Sequence, residues 1–115
     1  MTDNDCLFCK IVRGEIPSKT IYQDDAVMAF EDIHPVAPVH ILIIPKVHIT
    51  SAADLSLEHA DLLGRIFAAA SQIAKEKGIA EQGFRIVTNS GPFGGQVVPH
   101  LHFHLLGGRQ LEALG

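Results

Sequence analysis

Seven residues near the C-terminus constrain this chain more than any others: His100-Leu101-His102-Phe103-His104-Leu105-Leu106. Polar and apolar residues alternate, the period of a strand whose two faces see different surroundings. The alternation puts His100, His102 and His104 on one face. Leu101, Phe103 and Leu105 take the other, where they can pack on a helix. At a rise of about 3.3 Å per residue, neighbouring histidines stand about 6.6 Å apart, close enough to serve one small ligand. Three readings suit such a row. It is a half-buried strand with a histidine face, a three-histidine zinc site, or a site of nucleophilic catalysis. In the last, a neutral imidazole, whose ordinary pKa is about 6.5, attacks phosphorus and a second imidazole protonates the leaving group. Gly94-Gly95-Gln96, just upstream, offers small residues whose backbone amides could approach phosphate oxygens.

The partner for the apolar face is also in the sequence. Leu63, Ile66, Phe67, Ala70, Ile73 and Ala74 recur at helical spacing. Ser56 is the expected N-cap, Glu58 and Asp61 are acidic near the start, Lys75 and Lys77 are basic near the end, and Gly78 is the expected C′ residue. A short N-terminal helix is expected over 5–12, capped by Asp5 and ended by Gly14. Runs 20–23 and 26–31, parted by Asp24-Asp25, suggest a hairpin. His34-Pro35-Val36-Ala37-Pro38 is a rigid loop. Strands are expected over 40–44, 84–88 and 101–106, with 89–95 a loop. The fold class is α+β: a five-stranded, mainly antiparallel sheet with one long helix and a short N-terminal one.

With 115 residues and 47% of them apolar, the chain makes one domain, 1–115, with a real core. Thirteen acidic against nine basic residues give a net charge of −4, without the basic stripe of a nucleic-acid groove. The opening MTDNDC is polar and acidic, unlike a secretory leader, and the apolar runs are too short to span a membrane. A cytoplasmic protein is expected. In that compartment Cys6-x-x-Cys9 is read as metal or redox chemistry.

The histidine row matches the H-φ-H-φ-H-φ-φ signature of the histidine-triad (HIT) superfamily. Four further stretches, in order, are similar to its Hint-like branch: 9–17, Phe30-Glu31-Asp32-Ile33-His34-Pro35, 38–49, and 89–96. The resemblance covers nearly the whole chain. It implies a homodimer whose sheets join into one of ten strands. It implies binding of purine nucleoside monophosphates and cleavage of P–N or P–O bonds at the α-phosphorus, in phosphoramidates such as AMP-lysine. His102 matches the nucleophile, His104 the histidine beside phosphate and leaving group, and His40 the supporting histidine. Asp32 matches the carboxylate on the ribose hydroxyls. Phe8, Ile11, Phe30, Ile33 and Leu42 match the apolar base pocket, and Asn89, Gly95, Gln96 and Val97 the phosphate side. His34 and His59 are given no role and read as surface residues.

The chain departs from that pattern in places. Val97 stands where the branch often has a phosphate-contacting serine, and a tryptophan common near the C-terminus of animal members is missing. Some bacterial members, and the related galactose-1-phosphate uridylyltransferases, carry two cysteines, a distant histidine and the first triad histidine as a zinc set. Here these are Cys6, Cys9, His48 and His100, a Cys₂His₂ set for a structural zinc. Other functions compatible with the resemblance are dinucleoside polyphosphate hydrolysis, nucleotidyl transfer, and nucleotide-binding regulation.

Overall fold

The computed structural model describes residues 5–115. The first four residues of the opening read above for a leader lie outside it. Helix α1 spans Leu7–Val12, and strands β1 and β2, Thr20–Gln23 and Val27–Glu31, form the expected hairpin. Strand β3 is Val39–Pro45, helix α2 is Ala60–Glu76, and strands β4 and β5 are Phe84–Val87 and Phe103–Gly107. The five strands form one antiparallel sheet in the order β1-β2-β3-β5-β4.

Strand alternation divides the core cleanly. Val27, Ala29, Ile41, Ile43, Phe103 and Leu105 face α2, which buries Ile66, Ala69, Ala70, Ile73 and Ala74 against them. Met28, Phe30, Leu42 and Ile44 face the other way, against Phe8, Cys9 and Ile11 of α1. The histidine face of the 100–106 segment is therefore the α1 face. No helix among the described residues is long and apolar enough to cross a membrane.

Several boundaries differ from the sequence reading. Ser56 caps a 3-10 turn, Leu57–His59, rather than the long helix. Its hydroxyl accepts from Glu58 N–H, and Ser56 N–H donates to His59 Nδ1 at 3.0 Å. His59, expected to be idle, thus completes a capping box. On α2, Phe67 is 47% exposed, with its ring edge on Phe103, and Ala69 takes the inward place. At α1 the cap is Cys6, not Asp5: Cys6 Sγ accepts from Cys9 N–H at 3.3 Å.

The last strand begins at Phe103, not Leu101. Pro99 has no N–H, and the backbone just after it is satisfied outside the ladder. Leu101 N–H donates to Ile49 O at 2.6 Å, and Thr88 Oγ1 donates to His102 O at 2.8 Å. The carbonyl of His100 is thereby left for a side chain.

Candidate active site

That side chain is His102. Its Nδ1 lies 2.7 Å from His100 O. A carbonyl only accepts, so Nδ1 carries the proton and the neutral ring keeps its lone pair on Nε2. A second tautomer chain starts at the loop before β3. Val36 N–H donates to His40 Nδ1 at 3.1 Å, so in neutral His40 the proton sits on Nε2. His40 Nε2–H then donates to His104 Nδ1 at 2.9 Å, leaving His104 with its proton on Nε2. Both rings are held neutral. Burial lowers His40 below its ordinary pKa, against a smaller upward pull from Asp32. Burial, then the neighbouring His102 and His40, lower His104 to about 4. The site thus offers a lone pair on one imidazole and an N–H on another, their ring centroids 5.1 Å apart.

These two histidines line a cavity of about 440 Å³, within the roughly 300–1,000 Å³ range of small-ligand sites. Phe8, Ile11, Phe30, Ile33, Leu42, Asp32, Asn89, Gly95 and Val97 line it as well. Phe8, Ile11, Phe30 and Leu42 are buried, while Ile33 and Val97 stand exposed at 85% and 89%. The Phe8 ring meets Phe30, His100 and His102 edge-on, so α1 touches both the pocket floor and the His102 ring. Asp32 has two tasks. Oδ1 accepts from His34 N–H at 2.8 Å as a turn residue, and Oδ2 lies 3.4 Å from His40 Nε2. His34, expected to have no role, is on the cavity wall.

Two expected residues are absent from that wall. His40 is buried behind His104 as its hydrogen-bond partner. Gln96 turns its amide into the loop: Oε1 accepts from Gly91 N–H, and Nε2 donates to the carbonyls of Thr50 and Val98. The backbone amides of Gly95 and Gln96 are also spent inside the loop, on Pro92 O and Gly91 O. No motif marks Thr88, which bonds a backbone carbonyl fourteen residues away, or the Val36 amide, a backbone group whose bond to the His40 ring depends on the loop's conformation. A larger cavity of about 710 Å³ runs along the end of α2, β4 and the tail, and no histidine or cysteine lines it.

Among the described residues two clusters bring together atoms that could ligate a metal, each set within 4.8 Å. In Asp32, His40 and His104, a metal on His40 Nε2 would force a proton onto Nδ1, facing the Val36 N–H. That trio forms a hydrogen-bond chain that fixes tautomers and does not fit a metal. In Cys6, Cys9, His48 and His100 the logic reverses. His100 Nε2–H donates to Pro45 O at 2.9 Å, which turns the Nδ1 lone pair toward Cys6 Sγ at 3.2 Å and Cys9 Sγ at 3.5 Å. His48 Nδ1 lies 3.4 Å from Cys9 Sγ. Two thiols and two imidazoles in a buried pocket fit a tetrahedral ion of the zinc class.

A family model described as the HIT domain matches residues 13–111. The chain is 54% identical over 105 residues to the purine nucleoside phosphoramidase of Escherichia coli strain K12, covering 91% of this chain and 88% of that protein. It is 50% identical over 110 residues to a 14 kDa zinc-binding protein of Brassica juncea, covering 94% and 96%. A histidine triad protein from Clostridium difficile superposes with a TM-score of 0.94 at 48% identity, over 100% of both chains.

Proposed function

The chain belongs to the HIT domain family, and we propose that it is a hydrolase that cleaves purine nucleoside phosphoramidates at the α-phosphorus through a nucleotidylated His102. The observation that carries this reading is the Nδ1–H of His102 spent on the His100 carbonyl, which commits the Nε2 lone pair to a cavity with an apolar floor and a carboxylate on its wall. The base rests among Phe8, Ile11, Phe30, Ile33 and Leu42, and Asp32 accepts from the ribose hydroxyls. The phosphate sits toward Asn89, Gly95 and Val97. Gln96, expected among the phosphate contacts, supports that loop instead.

In the first step the Nε2 lone pair of His102 forms a bond to phosphorus as the P–N bond breaks. The amine leaves with the bonding pair and takes its proton from solvent, since neutral His104 would become an imidazolate by giving up Nε2–H. That N–H, held in place by His40, donates a hydrogen bond at that side instead. Water then attacks the phosphorus of nucleotidyl-His102 and passes a proton to solvent, the P–Nε2 bond breaks with its pair returning to His102, and the nucleotide is released. Zinc on Cys6, Cys9, His48 and His100 would have four protein ligands and no open position, so its work is structural. Residues 1–115 act as one domain, and two copies pair as a homodimer.

The test is turnover of adenosine phosphoramidate and lysine-linked AMP beside a diadenosine polyphosphate. Both phosphoramidates should turn over, with AMP trapped on His102 after a rapid acid quench. His102→Ala should lose several orders of magnitude in rate while still binding AMP. Near-normal turnover in that variant sinks the mechanism. Hydrolysis of the polyphosphate alone moves the assignment to that substrate class.

A further inference from the structure

We propose that Gln96 is a positioning residue, whose side chain clamps the phosphate loop to the body of the protein and thereby sets the backbone amide of Val97 toward the phosphate. The inference rests on the reading that a nucleotide phosphate sits against this loop. Segment 89–98 joins β4 to the triad and makes two glycine turns, Gly91 at φ +73° and Gly95 at +85°. Such a loop has little apolar burial of its own, since Phe93 and Val97 are both exposed. Something polar must hold its shape. The Gln96 carboxamide makes three bonds that span it. Oε1 accepts from Gly91 N–H at 2.9 Å, at the loop's start. Nε2 donates to Val98 O at 3.0 Å, at its end, and to Thr50 O at 2.7 Å, in the chain after β3.

The rest of the loop is built around that amide. Gln96 N–H returns to Gly91 O, so side chain and backbone of one residue grip both polar groups of Gly91. Gly94 packs so closely that a Cβ would meet Ser90 O at 2.6 Å. Ser90 Oγ bonds Ser51 Oγ at 3.0 Å, a second tie to the same neighbouring segment. The consequence lies one residue on. With the amides of Gly95 and Gln96 spent internally, the Val97 N–H has no protein acceptor among the described residues, and Val97 is on the cavity wall. Valine has no hydroxyl to offer, so the backbone N–H is what this residue can give a phosphate oxygen, and its direction depends on the clamp.

Gln96→Ala removes all three bonds. Gln96→Glu keeps the acceptor for Gly91 N–H but loses the donors to Thr50 and Val98. Two measurements read the clamp. The first is amide exchange in the ligand-free protein: Gly91 should exchange about tenfold faster or more in Gln96→Ala and stay protected in Gln96→Glu. The second is binding of AMP against adenosine. Both variants should lose about tenfold for AMP and less than about twofold for adenosine, which lacks the phosphate. A loss of general stability would move both ligands together, and that result overturns the proposal. So does unchanged Gly91 exchange in Gln96→Ala, which would mean that the side chain does not hold the loop. If the wild type binds neither ligand, the functional reading fails, and the exchange comparison still decides the clamp.

Discussion

The bond Asp32 makes to the chain and the one proposed for it with a nucleotide have different requirements. Oδ1 needs only to accept from His34 N–H, which an asparagine oxygen also does. The proposed recognition of two ribose hydroxyls would draw on the charge. Asp32→Asn should therefore keep the turn and weaken AMP by about tenfold or more, hydrogen bonds to charged groups being worth about 1.5–3 kcal/mol. The 2′-deoxy analogue should lose markedly less, and calorimetric titration of both nucleotides gives the ratio. Equal losses would remove Asp32 from ribose recognition. His104 makes a prediction about pH. Its native pKa of about 4 lies below the ordinary 6.5 of an unfolded chain. Between those values the unfolded state binds the extra proton, so stability falls as pH drops from 6.5 toward 4 and is flat for this group above 6.5. His40, also lowered, adds in the same direction. Melting temperature followed from pH 7 to 4 should fall less steeply in His104→Gln than in the parent. Parallel curves would mean that His104 is not held neutral by the fold.

At the scale of elements, α1 joins two kinds of chemistry. Cys6 and Cys9 give their thiols to the cluster, while Phe8 between them packs on His102. Protein purified without added metal should hold about one zinc per chain by elemental analysis. A site filled at about a thousand times its Kd stabilises by about 4 kcal/mol, so chelation should lower Tm by on the order of 10 °C. Far less than one zinc, in protein shown to have lost none, removes the site. The period of α2 was legible because a long amphipathic helix repeats its signal, and the strand alternation because two faces pack on two helices. Termini were less legible. A 3-10 turn took the Ser56 cap, and a thiol replaced Asp5 at the head of α1. Both turn on local bonds two or three residues apart, and several neighbouring polar residues compete for such a cap. The start of β5 slipped for a tertiary reason: Ile49 O and Thr88 Oγ1 satisfy the backbone that a ladder would have used.

For the whole molecule, the same distinction separates what the pattern encoded from what the tertiary fold decided. The residues gathered at the cavity came largely from the family resemblance, and their spacing alone left three readings of the histidine row open. What no pattern held was direction: that Gln96 faces inward, and that Val36 sets the His40 tautomer. The sheet's edges raise the remaining question, because an unpaired edge strand invites another chain. The edges are β1 and β4. The β1–β2 register is interrupted by an irregularity between Thr20 and Tyr22, which twists that edge away from flat pairing. Strand β4 has no such break, and Phe84 on it and Phe67 on α2 are exposed at 37% and 47%. We therefore expect two copies to pair through β4 and α2, joining two five-stranded sheets into one of ten. Sedimentation equilibrium should give about twice the 12.4 kDa of the chain at micromolar concentration. Ile86→Pro, which removes a β4 backbone donor, and Phe67→Glu should each shift the population toward monomer, with Tyr22→Glu on β1 as the control. A wild type that sediments as a monomer rejects the homodimer. A dimer weakened by Tyr22→Glu but not by Phe67→Glu would keep the homodimer and move its seam to the β1 edge.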